Sequence, residues 1–391
     1  MADFDPSRKV LVLGAGLAGS AVCAALARRG WHTTLIDAAG APAHGASGLP
    51  VGMLSPHLTR APTPLSRLCA LGVADTRAEL RRLVPEGRGW QDCEVDNLGH
   101  DPGRWPAAMV RPAALVTAWL EEARQLGRLH CLWDSPVGSL SRDRAGHWLA
   151  VSPSGCTLAQ AGTVVVATAY GARTLLVGSH GLDEVALPLR PVKGQMSVGA
   201  LETAPLAERP IRNNGVFVPA YADTGLPPQW PQRLWAMGST YERGVNDCTL
   251  GADAHERNAT SLEQMLPSAA SSLRSAASDG SLLGWAQVRC ASLDRLPLVG
   301  AVPDPAALHA HMREAEVRRG RVPLKDTPRL KGLYLLTALG SRGLTLAHWC
   351  AELLAARMDG TLTELKDEDQ DLERALDPAR FAWKAARRQT G

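Results

Sequence analysis

Apolar residues along the chain fall into runs of two kinds, and their order sets the first expectations. Lys9 to Leu13 (KVLVL) is a short β-branched and leucine run that reads as a buried strand. Ser20 to Arg29 is patterned as a helix, and His32 to Ile36 as a second strand. Positions 110–127 (VRPAALVTAWLEEARQLG) repeat apolar residues at helical spacing and end on Gly127, a C-cap residue. LHCLWDSPVGSLSRD and HWLAVSPSGCTLAQAGTVVVATA then predict a strand meander. Thr163 to Ala167 is apolar without interruption, as in a strand covered on both faces.

From Leu187 to Trp285 the texture changes. LPLRPVKGQMSVG, GVFVPAYA and LWAMGSTYERG are short strands between Pro, Gly and Asn turns, with a helical stretch at 253–277. They predict a mostly antiparallel sheet in a second domain. At 286–300, AQVRCASLDRLPLVG has strand-like alternation but carries a permanent cation, Arg289, beside Cys290. A polar insertion follows, DPAALHAHMREAEVRRGRVPLKDTPRL, which is expected to be exposed. KGLYLLTALGSRGLTLAHWCAELLAARMDG then predicts a strand, a glycine turn and a helix. No internal repeat is visible.

Composition narrows the class. The chain has 391 residues, 45% hydrophobic and 21% charged, which is ordinary for a globular protein of two domains or one elaborated domain. The net charge of +3 advertises no polycationic surface, although local patches remain open. The eight cysteines are scattered without CxxC or His-paired spacing, so free thiols in a reducing cytoplasm are expected rather than zinc or disulfides. The N-terminal residues lack a signal-peptide layout, and no run reaches the roughly 18 apolar residues that span a bilayer. The expectation is a soluble cytoplasmic protein with no membrane partner.

The first strand, helix and second strand acquire chemistry from the turn between them. Gly14, Ala15, Gly16, Leu17, Ala18 and Gly19 spell GxGxxG, and Asp37 ends the second strand. Gly14 permits the tight turn, Gly16 lets backbone approach a pyrophosphate, and Gly19 lets the helix lie close to the strand. Asp37 is spaced to bind a ribose. With all these parts in register, the unit predicts a Rossmann-like dinucleotide site. The next residues, AAGAPAHGASGLPVGMLSPHLT, form a small-residue loop suited to wrapping a long buried cofactor, which favours FAD over NAD. In it Ala46 and Ser47 are placed for the pyrophosphate, Gly52 and Met53 for passage beside the flavin ring. Val137 lies where a backbone contact to adenine fits, and Ala167, at the end of the apolar run 163–167, is a further cofactor-binding candidate. Gly340, Ser341, Arg342, Gly343, Leu344 and Thr345 open the last helix and would present its N-terminal amides to an electron-rich group.

With both glycine turns placed, the sequence resembles the D-amino-acid-oxidase family of FAD amine oxidases over nearly its full length. PVKGQM at 191–196 and VRCASLDRLPLVG fit that family. Within it, RRGWHTTLIDAAGAPAHGASG, MGSTYERG, VRCASLDRLPLVGAVPD, LGSRGLTLAHWCAELLA and the tail LDPARFAWKAARR are similar to the oxidase half of the bifunctional tRNA 5-methylaminomethyl-2-thiouridine biosynthesis proteins. The resemblance implies an α/β fold with a discontinuous FAD-binding domain (1–57, 108–186 and 286–391). A smaller, mostly antiparallel substrate domain (58–107 and 187–285) accompanies it. It also implies non-covalent FAD and a tRNA partner. The methyltransferase half that usually precedes such an oxidase is missing, which implies a separate methyltransferase acting on the product. Leu49 replaces an asparagine often seen after GASG, and Val216 stands where small-substrate relatives carry a tyrosine.

The implied reaction removes the carboxymethyl group from carboxymethylaminomethyl-uridine at the tRNA wobble position, giving aminomethyl-uridine and glyoxylate. Such a substrate is an N-substituted glycine, and its carboxylate calls for a planar cationic fork. The family places Arg289 in that role; the competing reading is a structural ion pair with Asp294. Lys193 and Tyr241 are further catalytic candidates, with Gln195 and Glu242 beside them. Against these roles, Lys193 also reads as a solvated strand-end residue, and Tyr241 and Glu242 as packing and surface residues. Cys290 is expected to be buried and inert, the alternative being a covalent flavin link. Two basic stretches suit RNA: 313–331, with Arg313, Arg318, Arg319, Arg321, Lys325 and Arg329, and the tail with Arg380, Lys384, Arg387, Arg388, Phe381 and Trp383. Solvated helix ends explain both stretches as well. Two other functions stay open: a small-molecule amine oxidase for glycine, sarcosine or a D-amino acid, and a flavin-bound tRNA-binding scaffold without turnover.

Overall fold

The structure, a computed structural model, describes residues 8–202, 204–317, 322–361 and 367–389. The KVLVL run forms the strand Lys9–Leu13, in the middle of a six-stranded sheet. Across that sheet the strands run Leu298–Pro303, Arg329–Thr337, Thr163–Val166, Lys9–Leu13, His32–Ile36 and Leu129–Leu132. All neighbours are parallel except the first pair. Val10, Val12, Val164, Val165 and Val166 are 1% exposed or less, because helices and the Ser139–Ala161 meander cover both faces. The helix Leu17–Arg28 packs between the helices Pro112–Gln125 and Gly343–Asp359.

A second sheet has nine strands, antiparallel apart from one short parallel pair. Its longest strand, Leu189–Ala200, pairs with Arg233–Gly238 on one side and with Leu283–Ser292 on the other. Sheet membership cuts across the domain bounds expected from sequence. Gly52–Leu54, residues 108–110 and residues 286–292 were all assigned to the first domain, yet they pair in the nine-stranded sheet. The Leu283–Ser292 strand is thus the crossing point: the chain leaves it through a turn and enters the first sheet at Leu298. An isolated bridge from Ala291 to Leu339 ties the end of that strand to the glycine turn at Gly340. Residues of both sheets line one cavity between them.

Two sequence expectations change here. The polar insertion is not wholly exposed: Pro305–Val317 is a helix whose Leu308 and Met312 are 1% and 6% exposed. The basic tail is a helix, Arg380–Gln389, that buries Phe381, Ala382 and Ala386 against the first domain. Among the described residues no helix is long and apolar enough to cross a membrane.

Candidate functional site

The GxGxxG turn leaves the Lys9–Leu13 strand at Gly14, whose φ is +98°. A Cβ there would lie 2.7 Å from the Ala167 carbonyl oxygen, and one at Gly19 would lie 1.8 Å from the Gly14 carbonyl oxygen. The first closeness fixes the turn; the second lets the helix dock on it. Ser47 reaches across so that the Leu17 amide donates to its Oγ at 2.9 Å, and a Cβ on Gly16 would lie 3.0 Å from that oxygen. Asp37 accepts from the Ala15 amide at 2.5 Å through Oδ2 and from the Ala39 amide at 2.8 Å through Oδ1. Its carboxylate therefore sits against the turn, half-buried, at the C-terminal ends of the parallel strands, where doubly wound sheets take ligands.

A cavity of about 380 Å³ opens from this turn into the gap between the sheets. One wall consists of Gly16, Leu17, Ala18, Ala46, Ser47, Gly52, Met53, Ala167, Gly340, Ser341, Gly343 and Leu344, all candidates from sequence. The opposite wall is Met196, Val216, Val218, Ser239, Tyr241, Trp285, Arg289 and Cys290, supplied by the second sheet. Leu49 also lines the cavity. The helix Gly343–Asp359 begins at this space and points its N-terminal amides toward it.

The remaining candidates stand outside the lining. Thr345 is buried in its helix, and its carbonyl accepts from the Thr76 hydroxyl. Val137 packs against the core beneath the meander. Arg342 turns its guanidinium away from the cavity toward His57. Lys193 is not brought to the cavity either. The strand alternation sends Lys193, Gln195 and Ser197 to the opposite face from Met196. There the Lys193 ammonium donates to Asp247 at 2.8 Å, which raises its pKa despite some desolvation. Gln195 is fully buried on the same face, clasping Gly251 through both amide atoms. Glu242 accepts from Thr240 and pairs with Arg257.

Arg289 lies directly across from Val192 in the strand register, on the cavity side. Its Nη2 donates to Ser239 Oγ, and its guanidinium carbon is 6.0 Å from the centre of the Tyr241 ring. A Cβ on Gly194 would lie 1.9 Å from Nη2, so glycine at 194 leaves the channel through which this side chain passes. Asp294 is not its partner: both oxygens of that carboxylate accept from Arg380 at 2.8 Å. Among the described residues no acid pairs with Arg289, and desolvation lowers its pKa. Ser239 was missed in the sequence, although it sits inside MGSTYERG, two positions before Tyr241.

Cys290 is 4% exposed at the cavity wall, and burial pushes its thiol up to about 11, with contacts to Thr337 and Ala338 pulling weakly the other way. It is a thiol, not a thiolate, at neutral pH. Among the described residues, the ionisable side chains lining the cavity are Arg289, Tyr241 and Cys290. The basic stretches fare unevenly. Arg380 is 3% exposed and Arg329 is paired with Asp377, so both serve the fold. Lys325, Lys384, Arg387 and Arg388 are exposed, with Arg387 over the Trp383 ring. Arg318, Arg319 and Arg321 lie outside the described residues.

Comparison with known proteins agrees with this geometry. A family model for FAD dependent oxidoreductases (DAO) matches residues 9–105 and 76–357. The tRNA 5-methylaminomethyl-2-thiouridine biosynthesis bifunctional protein MnmC of Paracidovorax citrulli is 36% identical over 400 residues, covering 90% of this chain and 57% of that protein. The protein of the same name in Verminephrobacter eiseniae is 34% identical over 435 residues, covering 95% of this chain and 63% of its own. The chain thus spans about three fifths of the curated relatives it matches. Among solved structures, glycine oxidase from Geobacillus kaustophilus superposes with a TM-score of 0.68 at 18% identity, covering 95% of this chain and 99% of that one. Iminodiacetate oxidase from Chelativorans sp. gives 0.66 at 19%, covering 91% and 97%. The residues present fit a flavin dinucleotide: a glycine cradle at the turn, a long apolar gap, and a Thr168 hydroxyl buried beside Ala167 without a partner.

Proposed function

The chain belongs to the DAO family of FAD dependent oxidoreductases, and from that premise we propose that it oxidises the carboxymethylaminomethyl group of a tRNA wobble uridine. FAD supplies the two-electron hydride acceptor when bound. The observation that carries the proposal is Arg289: a guanidinium without an acid partner among the described residues, held by Ser239 in an apolar cavity that begins at a dinucleotide turn. A cation in such a place fits a carboxylate brought by the substrate. A charge-assisted pair of this kind contributes about 1.5–3 kcal/mol.

The remaining walls suit the other half of an N-substituted glycine. Met196, Val216, Val218 and Trp285 exclude water around the amine. An apolar wall and a neighbouring guanidinium both disfavour an ammonium, so the amine is held neutral without a general base in the lining. The C–H bond between nitrogen and carboxylate then breaks, and its electron pair leaves with the hydrogen as hydride. The resulting imine takes up water and splits into glyoxylate and the aminomethyl base. Tyr241, half-exposed at the rim, is placed to pack on the arm of the substrate or on its base. FAD is held non-covalently, since the Cys290 thiol stays protonated.

The MnmC name of the relatives at 34–36% identity supports tRNA over a free amine. Glycine, sarcosine or a D-amino acid would use the same clamp. Nucleoside analysis tests the choice. Incubation of the holoprotein with tRNA bearing the carboxymethylaminomethyl group should yield the aminomethyl nucleoside and an equal amount of glyoxylate. No change in that nucleoside would defeat the proposal.

A further inference from the structure

His57, Arg212 and Arg342 meet beside the cavity with no acid among them, and Arg295 lies close enough to act on His57 electrostatically. Arg342 flanks Ser341 and Gly343, which line the cavity, but its Nη2 turns outward to 3.3 Å from His57 Nδ1. His57 follows the Gly52–Leu54 strand, whose first two residues line the cavity as well. Arg212 reaches the same place and donates to Ser55 Oγ at 2.8 Å, the Pro56 carbonyl at 2.6 Å and Asn97 Oδ1 at 3.1 Å. Arg295 stands on the exposed turn that follows Leu283–Ser292.

Burial, then Arg342, Arg212 and Arg295, push His57 down to about 4, and Arg212 is itself lowered by burial and by Arg342. The Cys69 thiol also faces Arg342 and is pushed up to about 11 by burial. Other half-buried arginines, such as Arg28 with Glu79 and Glu122 and Arg111 with Asp223, are matched with acids. Among the described residues none of these four has an acid partner, and Asp294, next to Arg295, is taken by Arg380. Partly desolvated like charges brought together are unfavourable unless an anion completes them.

We propose that His57, Arg212, Arg295 and Arg342 form an anion site for one backbone phosphodiester of the RNA whose modified base enters the cavity. This rests on the tRNA reading above. The substrate's carboxylate is already met inside the cavity by Arg289, so the rim cations face a different anion. A base extruded into a pocket leaves its sugar and phosphates at the mouth, where arginine forks bind non-bridging oxygens. Neutral His57 contributes a ring N–H rather than charge.

The test uses the holoprotein and a fluorescent anticodon stem-loop RNA carrying carboxymethylaminomethyl-uridine, titrated at several salt concentrations. Arg295→Ala and Arg212→Gln should each bind roughly tenfold more weakly, with a salt slope shallower by about 0.7. Flavin content and spectrum should not move. RNA with a neutral methylphosphonate on the 5′ or the 3′ side of the modified uridine should bind wild type more weakly at one of the two positions, and the variants no worse than they bind native RNA. If Arg212→Gln does not fold, Arg295→Ala carries the test, because that side chain makes no hydrogen bond or ion pair among the described residues. Wild-type affinity and slope in both folded variants would overturn the anion site while leaving the RNA reading intact. A wild type that neither binds nor oxidises the RNA would overturn both.

Discussion

Removing the guanidinium of Arg289 tests the substrate chemistry at its anchor. Arg289→Ala deletes a cation that no acid among the described residues balances, so the folded protein loses one hydrogen bond to Ser239 and no ion pair among them. Stability should change by less than about 1 kcal/mol, since relief of desolvation offsets the lost bond. The carboxylate of the substrate, by contrast, loses a charge-assisted fork of about 1.5–3 kcal/mol, a fall of roughly 10- to 150-fold in kcat/KM for glyoxylate release. Arg289→Lys keeps the charge and loses the fork, so it should fall between wild type and alanine. Gly194→Ala gives an independent handle: its Cβ would meet Nη2 at 1.9 Å and push the guanidinium aside, lowering kcat/KM without altering Arg289. Flavin absorbance and thermal melting check that cofactor and fold are retained. Alanine at 289 with wild-type kcat/KM and full flavin content would refute the clamp.

Other consequences follow from the turns and the buried pairs. Gly14→Ala should purify without flavin, because position 14 sits at φ +98° and its Cβ would press on the Ala167 carbonyl; flavin absorbance per chain measures this. Acid precipitation should release all the yellow colour to the supernatant, and Cys290→Ser should behave identically. Arg380→Ala leaves Asp294 partly buried without its cation and should cost about 2 kcal/mol, read as a lower Tm. His348 is held between Asp75 and Glu79; these acids outweigh burial and raise its pKa to about 9. Its contribution is complete below the unfolded histidine value near 6.5 and is lost as pH rises toward 9, so chemical denaturation across that window should show a decline that His348→Gln flattens.

Much of the cofactor side was legible because it depends on local backbone. Gly14 turns at φ +98° and Gly19 meets the Gly14 carbonyl within one βαβ unit, whereas the approaches of Ala167 to Gly14 and of Ser47 to Gly16 come from outside it; the second glycine turn opens a helix that its own sequence specifies. The second sheet was legible only as texture. That Lys193 faces away from the cavity follows from alternation along Leu189–Ala200, but its register against Leu283–Ser292 arises between strands some ninety residues apart. Arg380 looked like an RNA contact because a basic residue beside Phe381 resembles an exposed helix face. Its pairing with Asp294, 86 positions away, is tertiary. The helix Pro64–Leu83 was passed over even though Thr63 and Ser66 form a capping box with Pro64 at its first turn, a signal within reach of sequence alone. The basic rim could not be read at all, since His57, Arg212, Arg295 and Arg342 come from four separate segments.

Anaerobic reduction of the bound flavin addresses the central claim most directly. The holoprotein, mixed without oxygen with glycine, with sarcosine, or with tRNA carrying carboxymethylaminomethyl-uridine, reports oxidation of each as loss of its yellow absorbance. Rapid bleaching by the tRNA and little by either small amine is the expected result. Bleaching by sarcosine or glycine with none by the tRNA would contradict it, as would a flavin that none of the three reduces.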